Sequence, residues 1–214
     1  MRRRADWYFD FISPFAYLQL EAFSRLPEDL EIALKPVLFA GLLDYWENKG
    51  PAEIPAKRQQ TYRYCHWLAT KRGIPFKMPP RHPFNPLTVL RLCIALGADR
   101  SAVEALFQHI WAEGNDGQNP EGLMTVAASL GVRDLAAVVN GPIVKQKLRD
   151  NTDAAIARGV FGVPTFVIDD ELFWGEDATE MLLDYLADSN LFRSTEFSRI
   201  RDLPVGAARK ESKL

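Results

Sequence analysis

The sequence predicts an α/β fold in which a small sheet domain is split by an all-helical insertion. Three observations predict it. The aromatic and apolar run Trp7-Tyr8-Phe9-Asp10-Phe11-Ile12 leads directly into Ser13-Pro14, the pattern of a buried strand, a tight turn and a helix start. From about residue 40 to residue 158 the pattern is helical. Strand character returns only at 165–168 and 171–174, just before a last amphipathic stretch. Neither end of the chain can bury a sheet alone, so the two must meet in space. The expected division is 1–39 with 159–214 for the sheet domain and 40–158 for the insertion.

Each element has its own reason. Residues 6–12 read as a buried strand. Ser13 can cap the helix that follows, and Pro14 suits its first position. That helix carries Phe15, Leu18, Ala22 and Leu26 and should end near Pro27. Residues 31–38 suggest a second strand, with Pro36 confining its end to an edge or bulge. Helices are expected at 57–72, 86–96, 101–113, 120–130 and 142–157. The breaks between them fall at Gly73–Pro86, Gly97, Gly114–Asn119 and Gly131. Asp169-Asp170 divides the last two strands as a hairpin, a weaker turn signal than Asn-Gly. A final helix should cover about 177–188, with Met181, Leu182, Tyr185 and Leu186 on one face. The charged stretch from 189 carries little pattern and reads as a loosely attached end; its last part, 204–214, suggests no role.

Bulk properties narrow the function. The chain has 214 residues and a formal net charge of −2, enough for one large domain or one domain carrying an insertion. No basic excess points to nucleic acid. No apolar run reaches the ~18 residues needed to cross a membrane. Arg2, Arg3 and Arg4 precede Asp6 and Asp10, a poor signal peptide. Cys65 and Cys93 stand far apart in no metal or redox spacing and read as buried apolar side chains. A reduced cytoplasm is the expected setting. His66, His82 and His109 lack metal-ligand spacing and read as structural or surface residues.

Five motifs carry a resemblance that spans most of the chain. They are Phe9-Asp10-Phe11-Ile12-Ser13-Pro14-Phe15-Ala16-Tyr17, Pro55-Ala56-Lys57-Arg58, His82-Pro83-Phe84-Asn85-Pro86-Leu87, Gly159-Val160-Phe161-Gly162-Val163-Pro164-Thr165 and Phe173-Trp174-Gly175-Glu176-Asp177. Each alone is weak, but all five in order at compatible spacing are specific. The sequence resembles the 2-hydroxychromene-2-carboxylate isomerases, which lie near the kappa-class glutathione transferases in the DsbA-like thioredoxin superfamily. The resemblance implies a thioredoxin-like sheet domain of DsbA/kappa type. It implies glutathione as cofactor, a small aromatic carboxylate as substrate and a homodimer. The reaction it implies interconverts 2-hydroxychromene-2-carboxylate and trans-o-hydroxybenzylidenepyruvate. The family often has Arg directly after its Gly-x-Asp motif, where this chain has Ala178.

The chemistry of the residues is consistent with that role. A serine stands where a redox relative would keep cysteine, so thiol binding is expected and disulfide exchange is not. A serine hydroxyl is too weak an acid to ionise near neutral pH, but Ser13 can donate a hydrogen bond to the glutathione sulfur. A helix N-terminus and a nearby donor favour the thiolate of a thiol whose pKa is ~8.5. Capping alone would also explain Ser13, and both roles can coexist. The resemblance implies that Val163-Pro164 is cis, with the Val163 backbone pairing with the cysteinyl backbone of glutathione. Trp174, Gly175, Glu176 and Asp177 end a strand and open a helix, where free N–H groups can hold the γ-glutamyl carboxylate. Asp177 could meet the α-amino group there, or simply cap the helix. Lys57 and Arg58 sit at a probable helix start, mildly unfavourable for cations; they read either as an exposed basic pair or as partners of the substrate carboxylate. Asn85 could bind substrate or cap the next helix. Trp46, with Tyr45 and Phe39, could wall an aromatic pocket or fill core. A transferase consuming glutathione and a non-catalytic thioredoxin-like binding module are the rival readings.

Overall fold

In a computed structural model of the chain, residues 3–207 are described. They form two compact units, one running to Thr179 and one starting at Glu180. In chain order the first holds β1 (Arg4–Phe9), α1 (Pro14–Glu21), β2 (Glu31–Pro36), α2 (Phe39–Tyr45), α3 (Pro55–Arg72), α4 (Leu87–Ala95) and α5 (Arg100–Phe107). It continues with α6 (Pro120–Ser129), α7 (Leu135–Asn140), α8 (Pro142–Ala157), β3 (Thr165–Ile168) and β4 (Glu171–Trp174). A single π-helical turn, Gln108–Ala112, prolongs α5. Helix α9 (Thr179–Ala187) opens the second unit, which ends in a 3₁₀ turn and α10 (Thr195–Arg201). Within that unit the Tyr185 and Phe192 rings stack at 5.4 Å.

The sheet is mixed, in the order β2-β1-β3-β4. β1 runs parallel to β2 and antiparallel to β3, with Trp7 opposite Phe166 and Tyr8 opposite Thr165. The strands of the two chain ends therefore pair directly, and the helical stretch between them is an insertion into one sheet. Period-two alternation along β1 sends side chains to both faces. Trp7 and Phe9 stack at 4.5 Å in an aromatic core with Phe23, Phe107 and Phe166. Tyr8 goes to the other face, with Val37, Leu42, Ala155, Val160 and Val167.

Several expectations need correction. β1 stops at Phe9, three residues early, because the buried Asp10 carboxylate captures the N–H groups of Ile12 (3.1 Å) and Phe39 (2.9 Å). Those bonds replace a strand ladder with a turn. α1 ends at Glu21 and a 3₁₀ turn at Phe23–Arg25 covers the stretch before Pro27. β2 ends at Pro36, as a proline on an edge strand should. Two short helices, α2 and α7, lie in stretches given no helix of their own, and each is too brief to show a period. The end beyond 189 forms α10, capped by Ser194 accepting from Phe197; residues 208–214 of the expected tail lie outside the described residues. The hairpin is as expected: Asp169 and Asp170 both adopt positive φ, 51° and 67°, the geometry of a two-residue hairpin turn that short polar side chains tolerate. The first turn of α9 starts two residues later than expected.

Candidate active site

Pairing in the sheet brings three connections to one edge. Phe9 pairs with Pro36, Tyr8 with Thr165, and Thr165 with Trp174. The turn after β1 (10–13), the loop before β3 (159–164) and the turn after β4 (175–178) therefore all leave the sheet at the same end. The segment after β2 leaves there too and carries Phe39 to Trp46. Ser13, Val163, Pro164 and 174–177 are thus neighbours in the fold although ~150 residues separate them in sequence, a separation an α/β sheet spans through its insertion.

The 10–13 turn is buried and its polar groups are matched one by one. The Asp10 carboxylate is fully buried, and burial pushes its pKa up to about 7 against the pull of N–H donors from Phe39, Ile12 and Phe11. The Phe11 carbonyl accepts from the Trp111 indole at 2.8 Å, and the Ile12 carbonyl accepts from His82 Nε2 at 2.8 Å. A carbonyl can only accept, so Nε2 carries the imidazole proton. Nδ1 lies 2.7 Å from the Tyr62 hydroxyl, which also reaches the His82 carbonyl at 2.8 Å. Burial lowers the His82 pKa against the pull of the Ile12 hydrogen bond, and the Arg58 cation lowers it as well, which favours the neutral ring near pH 7. The His82-Pro83 bond is cis, as is Val163-Pro164. Tyr17 on α1 closes the bracing by donating to the Pro75 carbonyl at 2.7 Å.

Ser13 is held by this frame. Its N–H donates to the Asp10 carbonyl (3.0 Å) and its Oγ accepts the Ala16 N–H (3.2 Å), so it does cap α1. Its own hydroxyl proton has no acceptor among the described residues. A side chain that accepts from a helix N-terminus while keeping a proton to give is suited to an anion or thiolate held at that terminus.

The facing connections are built differently. Trp174 is half-exposed and lies over Gly162, where a β-carbon would collide with its indole nitrogen. Phe161 packs beside Trp174 at 4.9 Å. Gly175 takes φ of +96°, a left-handed conformation suited to glycine, and donates to the Pro164 carbonyl at 2.9 Å. The Asp177 carboxylate folds back over Gly175. The backbone N–H groups of Glu176 and Asp177 make no hydrogen bond among the described residues. The Glu176 side chain is buried and ion-paired with Arg72 of α3. One residue joins the two sides. Gln19 on α1 accepts from Trp7 Nε1 (2.7 Å) and donates to the Gly175 carbonyl (2.9 Å) and Thr179 Oγ1 (3.1 Å).

The expected substrate contacts are spread more widely. Lys57 and Arg58 are exposed in the first turn of α3. Arg58 acts electrostatically on Tyr62 and His82, which puts it on the same side as the Ser13 turn. Asn85 is exposed, with its side-chain oxygen taken by the Leu87 N–H at 3.0 Å and its N–H given to Gln118. Trp46 is 43% exposed and donates to the Val160 carbonyl at 3.0 Å; Tyr45 is exposed beside it, and Phe39 packs on the core. Cys65 and Cys93 are buried free thiols, and burial pushes Cys65 up to about 12 and Cys93 higher still; neither is a nucleophile. His109 donates from Nε2 to the Gly122 carbonyl and is structural. Sequence reasoning missed Asp10, Gln19, Tyr62, His82, Arg72 and Trp111 as supports of the site. Only Asp10 gave a signal, a lone carboxylate in an apolar strand.

The model of the DSBA-like thioredoxin domain matches residues 4–187. A 2-hydroxychromene-2-carboxylate isomerase from Sphingobium xenophagum is 30% identical, over 88% of this chain and all of that one. The glutathione S-transferase kappa 2 of Caenorhabditis elegans is 29% identical, over 87% of this chain and 93% of its own length. The structure of a 2-hydroxychromene-2-carboxylate isomerase superposes with a TM-score of 0.75 at 26% identity, over 90% of this chain and all of that one. Among the described residues no helix is long and apolar enough to cross a membrane. The chain belongs to the DSBA-like thioredoxin family, with 2-hydroxychromene-2-carboxylate isomerases and kappa-class glutathione transferases among its relatives.

Proposed function

We propose that the chain is a glutathione-dependent cis-trans isomerase acting on 2-hydroxychromene-2-carboxylate or a related aromatic catabolite. The observation that carries the reading is Ser13, a buried helix cap with an uncommitted hydroxyl proton where a disulfide exchanger would need a thiol. The residues around it fit glutathione. The Val163 backbone would pair with the cysteinyl unit, Trp174 would flank it, and the N–H groups of Glu176 and Asp177 would take the γ-glutamyl carboxylate. The Asp177 carboxylate would meet the α-amino group. The Glu176 side chain instead anchors the turn to Arg72.

Bound glutathione would supply a thiolate that adds reversibly to an electrophilic carbon, converting a conjugated double bond into a single bond about which rotation is cheap. Ser13 would donate to that sulfur, and the N-terminus of α1 would favour its negative charge. The neutral His82 and the satisfied Asp10 hold Ser13 still, so that no donor needs to reorganise during the reaction. Lys57 and Arg58 would hold the substrate carboxylate during rotation, with Asn85 and Trp46 at the rim, which fixes the reacting atoms relative to one another. We place the sheet domain at 1–39 and 159–214 and the insertion at 40–158, and infer a cytoplasmic homodimer.

The kappa-class relatives favour a second reading, conjugation of glutathione to other electrophiles. One experiment separates the two. Absorbance would follow 2-hydroxychromene-2-carboxylate with and without glutathione while free thiol is titrated in the same sample. The isomerase reading expects glutathione-dependent approach to equilibrium without thiol loss. Loss of thiol into a conjugate would support the transferase, and no reaction with no glutathione affinity would leave a binding module.

A further inference from the structure

Away from the Ser13 turn, α8 presents an unusual stripe. Lys145, Leu148, Arg149 and Thr152 stand at i, i+3, i+4 and i+7, one face of the helix. In a helix packed against neighbours that face should be apolar. Here it carries two cations, and Leu87 and Arg91 of α4 meet it across a cavity of about 280 Å³ that Leu38 and Asp153 also line. The size lies at the small end of ligand pockets, which begin near ~300 Å³. The cavity wall is firm on one side: Thr152 accepts the Leu38 N–H at 3.0 Å and gives its proton to the Leu148 carbonyl at 2.8 Å.

The charges in this cavity are not balanced. Arg91, Lys145 and Arg149 make no ion pair and no side-chain hydrogen bond among the described residues, and Asp153 is the one carboxylate in the lining. The Arg91 Nε is buried without an acceptor. A buried donor left unpaired costs about 1–3 kcal/mol, and the half-buried Arg91 and Lys145 and the exposed Arg149 line one cavity as like charges that repel one another. An anion in the cavity would offset both. The three leucines would meanwhile cover an apolar body attached to it, as small-molecule sites commonly combine apolar walls with a few convergent polar groups.

We propose that this cavity between α4 and α8 is a binding site for a small amphipathic anion, a carboxylate or phosphate on a compact apolar body. Arg91 supplies the central contact, Lys145 and Arg149 supply the surrounding charge, and Leu38, Leu87 and Leu148 hold the apolar part. The site shares no residue with the candidate glutathione site.

Calorimetric titration of the full chain with 1-naphthoate, in saturating glutathione, tests this. The expected result is a saturable binding event that the Lys57→Met/Arg58→Met variant keeps, with 1-naphthamide and inorganic phosphate each at least tenfold weaker; binding lost in that variant would place naphthoate at the candidate active site and overturn the α4–α8 site. Arg91→Met should weaken naphthoate at least tenfold and Lys145→Met or Arg149→Met several-fold. Asp153→Asn should tighten it, because the opposing charge is gone. If Arg91→Met does not fold, the Lys145 and Asp153 variants decide alone, since they alter half-buried and exposed side chains. Affinity indifferent to all four variants, or equal binding of naphthoate and naphthamide, overturns the site. Inorganic phosphate binding as tightly as naphthoate overturns the amphipathic assignment.

Discussion

The two sides of the candidate site are built on opposite principles. Around Ser13, every buried polar group has a named partner: Asp10 with Ile12 and Phe39, Phe11 with Trp111, Ile12 with His82, Tyr17 with Pro75. Around 160–177, half-exposed rings stand beside the Glu176 and Asp177 N–H groups, which have no partner among the described residues. A buried network that is fully satisfied is rigid and specifies one geometry. An open edge with free donors is what a peptide-like ligand can complete. Under the proposed function the difference is a division of labour, in which the insertion would immobilise the Ser13 corner and the last strands would offer a surface for glutathione. Gln19 bridges the two through the Gly175 carbonyl, and the Arg72–Glu176 ion pair ties the 174–177 turn to α3.

The comparison predicts unequal responses to mutation. Ser13→Ala removes the donor to the reacting sulfur, and turnover should fall by about 10²-fold or more, the scale of losing one preorganised donor. The lost cap should cost about 1 kcal/mol, so urea unfolding would show a folded protein. Near-normal turnover with unchanged glutathione affinity would remove Ser13 from the mechanism.

Asp10 should give the largest effect on stability. Its pKa is about 7 in the fold against an ordinary 3.8. Between these values the folded chain keeps a proton that the unfolded chain has released. Its contribution is therefore full below pH ~4 and is lost as pH rises through about 7, by up to a few kcal/mol. Urea titrations at pH 4 to 8 should show this decline in the parent and a flatter profile in Asp10→Asn. The variant should also be less stable near neutrality, because an amide offers one acceptor where two N–H groups need one each. Parallel profiles for the two proteins would mean that Asp10 does not titrate in this range.

The sequence exposed the facing edges of the site far better than the bracing behind Ser13. Ser13-Pro14 and the stretch 174–177 stand out because caps and strand ends use few residue types. The long helices, the hairpin and the split sheet followed from period and punctuation. What stayed hidden was the bracing of the Ser13 turn. Trp111, His82 and Tyr62 are ~50 to 100 residues from the carbonyls they serve, directly or in relay; a tryptophan or tyrosine in a helical stretch looks like any other core residue, and a histidine in the break at Gly73–Pro86 looks like any loop residue. Glu176 reads in sequence through the free N–H groups of its turn; that its carboxylate is buried against Arg72 gives no signal there. Short helices such as α2 were illegible because seven residues contain barely two turns.

Gln19→Met probes the bridge. It keeps the length but leaves Trp7 Nε1 without a partner and takes one of the two donors from the Gly175 carbonyl, which keeps only the Ala178 N–H, and unfolding stability should drop by about 1–3 kcal/mol. Glutathione affinity should fall several-fold while the pKa of bound thiol, read from thiolate absorbance, stays put. A shifted thiol pKa would mean that Gln19 also shapes the Ser13 corner, and that the two sides are one unit.

The smallest effect is expected at Trp46. Its indole donates to the Val160 carbonyl, three residues before Val163, but the ring is nearly half exposed. In Trp46→Phe water can reach the vacated carbonyl, so the loss should stay near or below about 1 kcal/mol. Glutathione affinity should change by less than threefold, because an open edge tolerates one missing tether when solvent replaces it. A drop of tenfold or more would show that the 160–164 loop depends on its anchor as strictly as Ser13 depends on Asp10 and His82. The open side would then be as preorganised as the buried one, and its exposed rings would be structural supports as much as recognition surface.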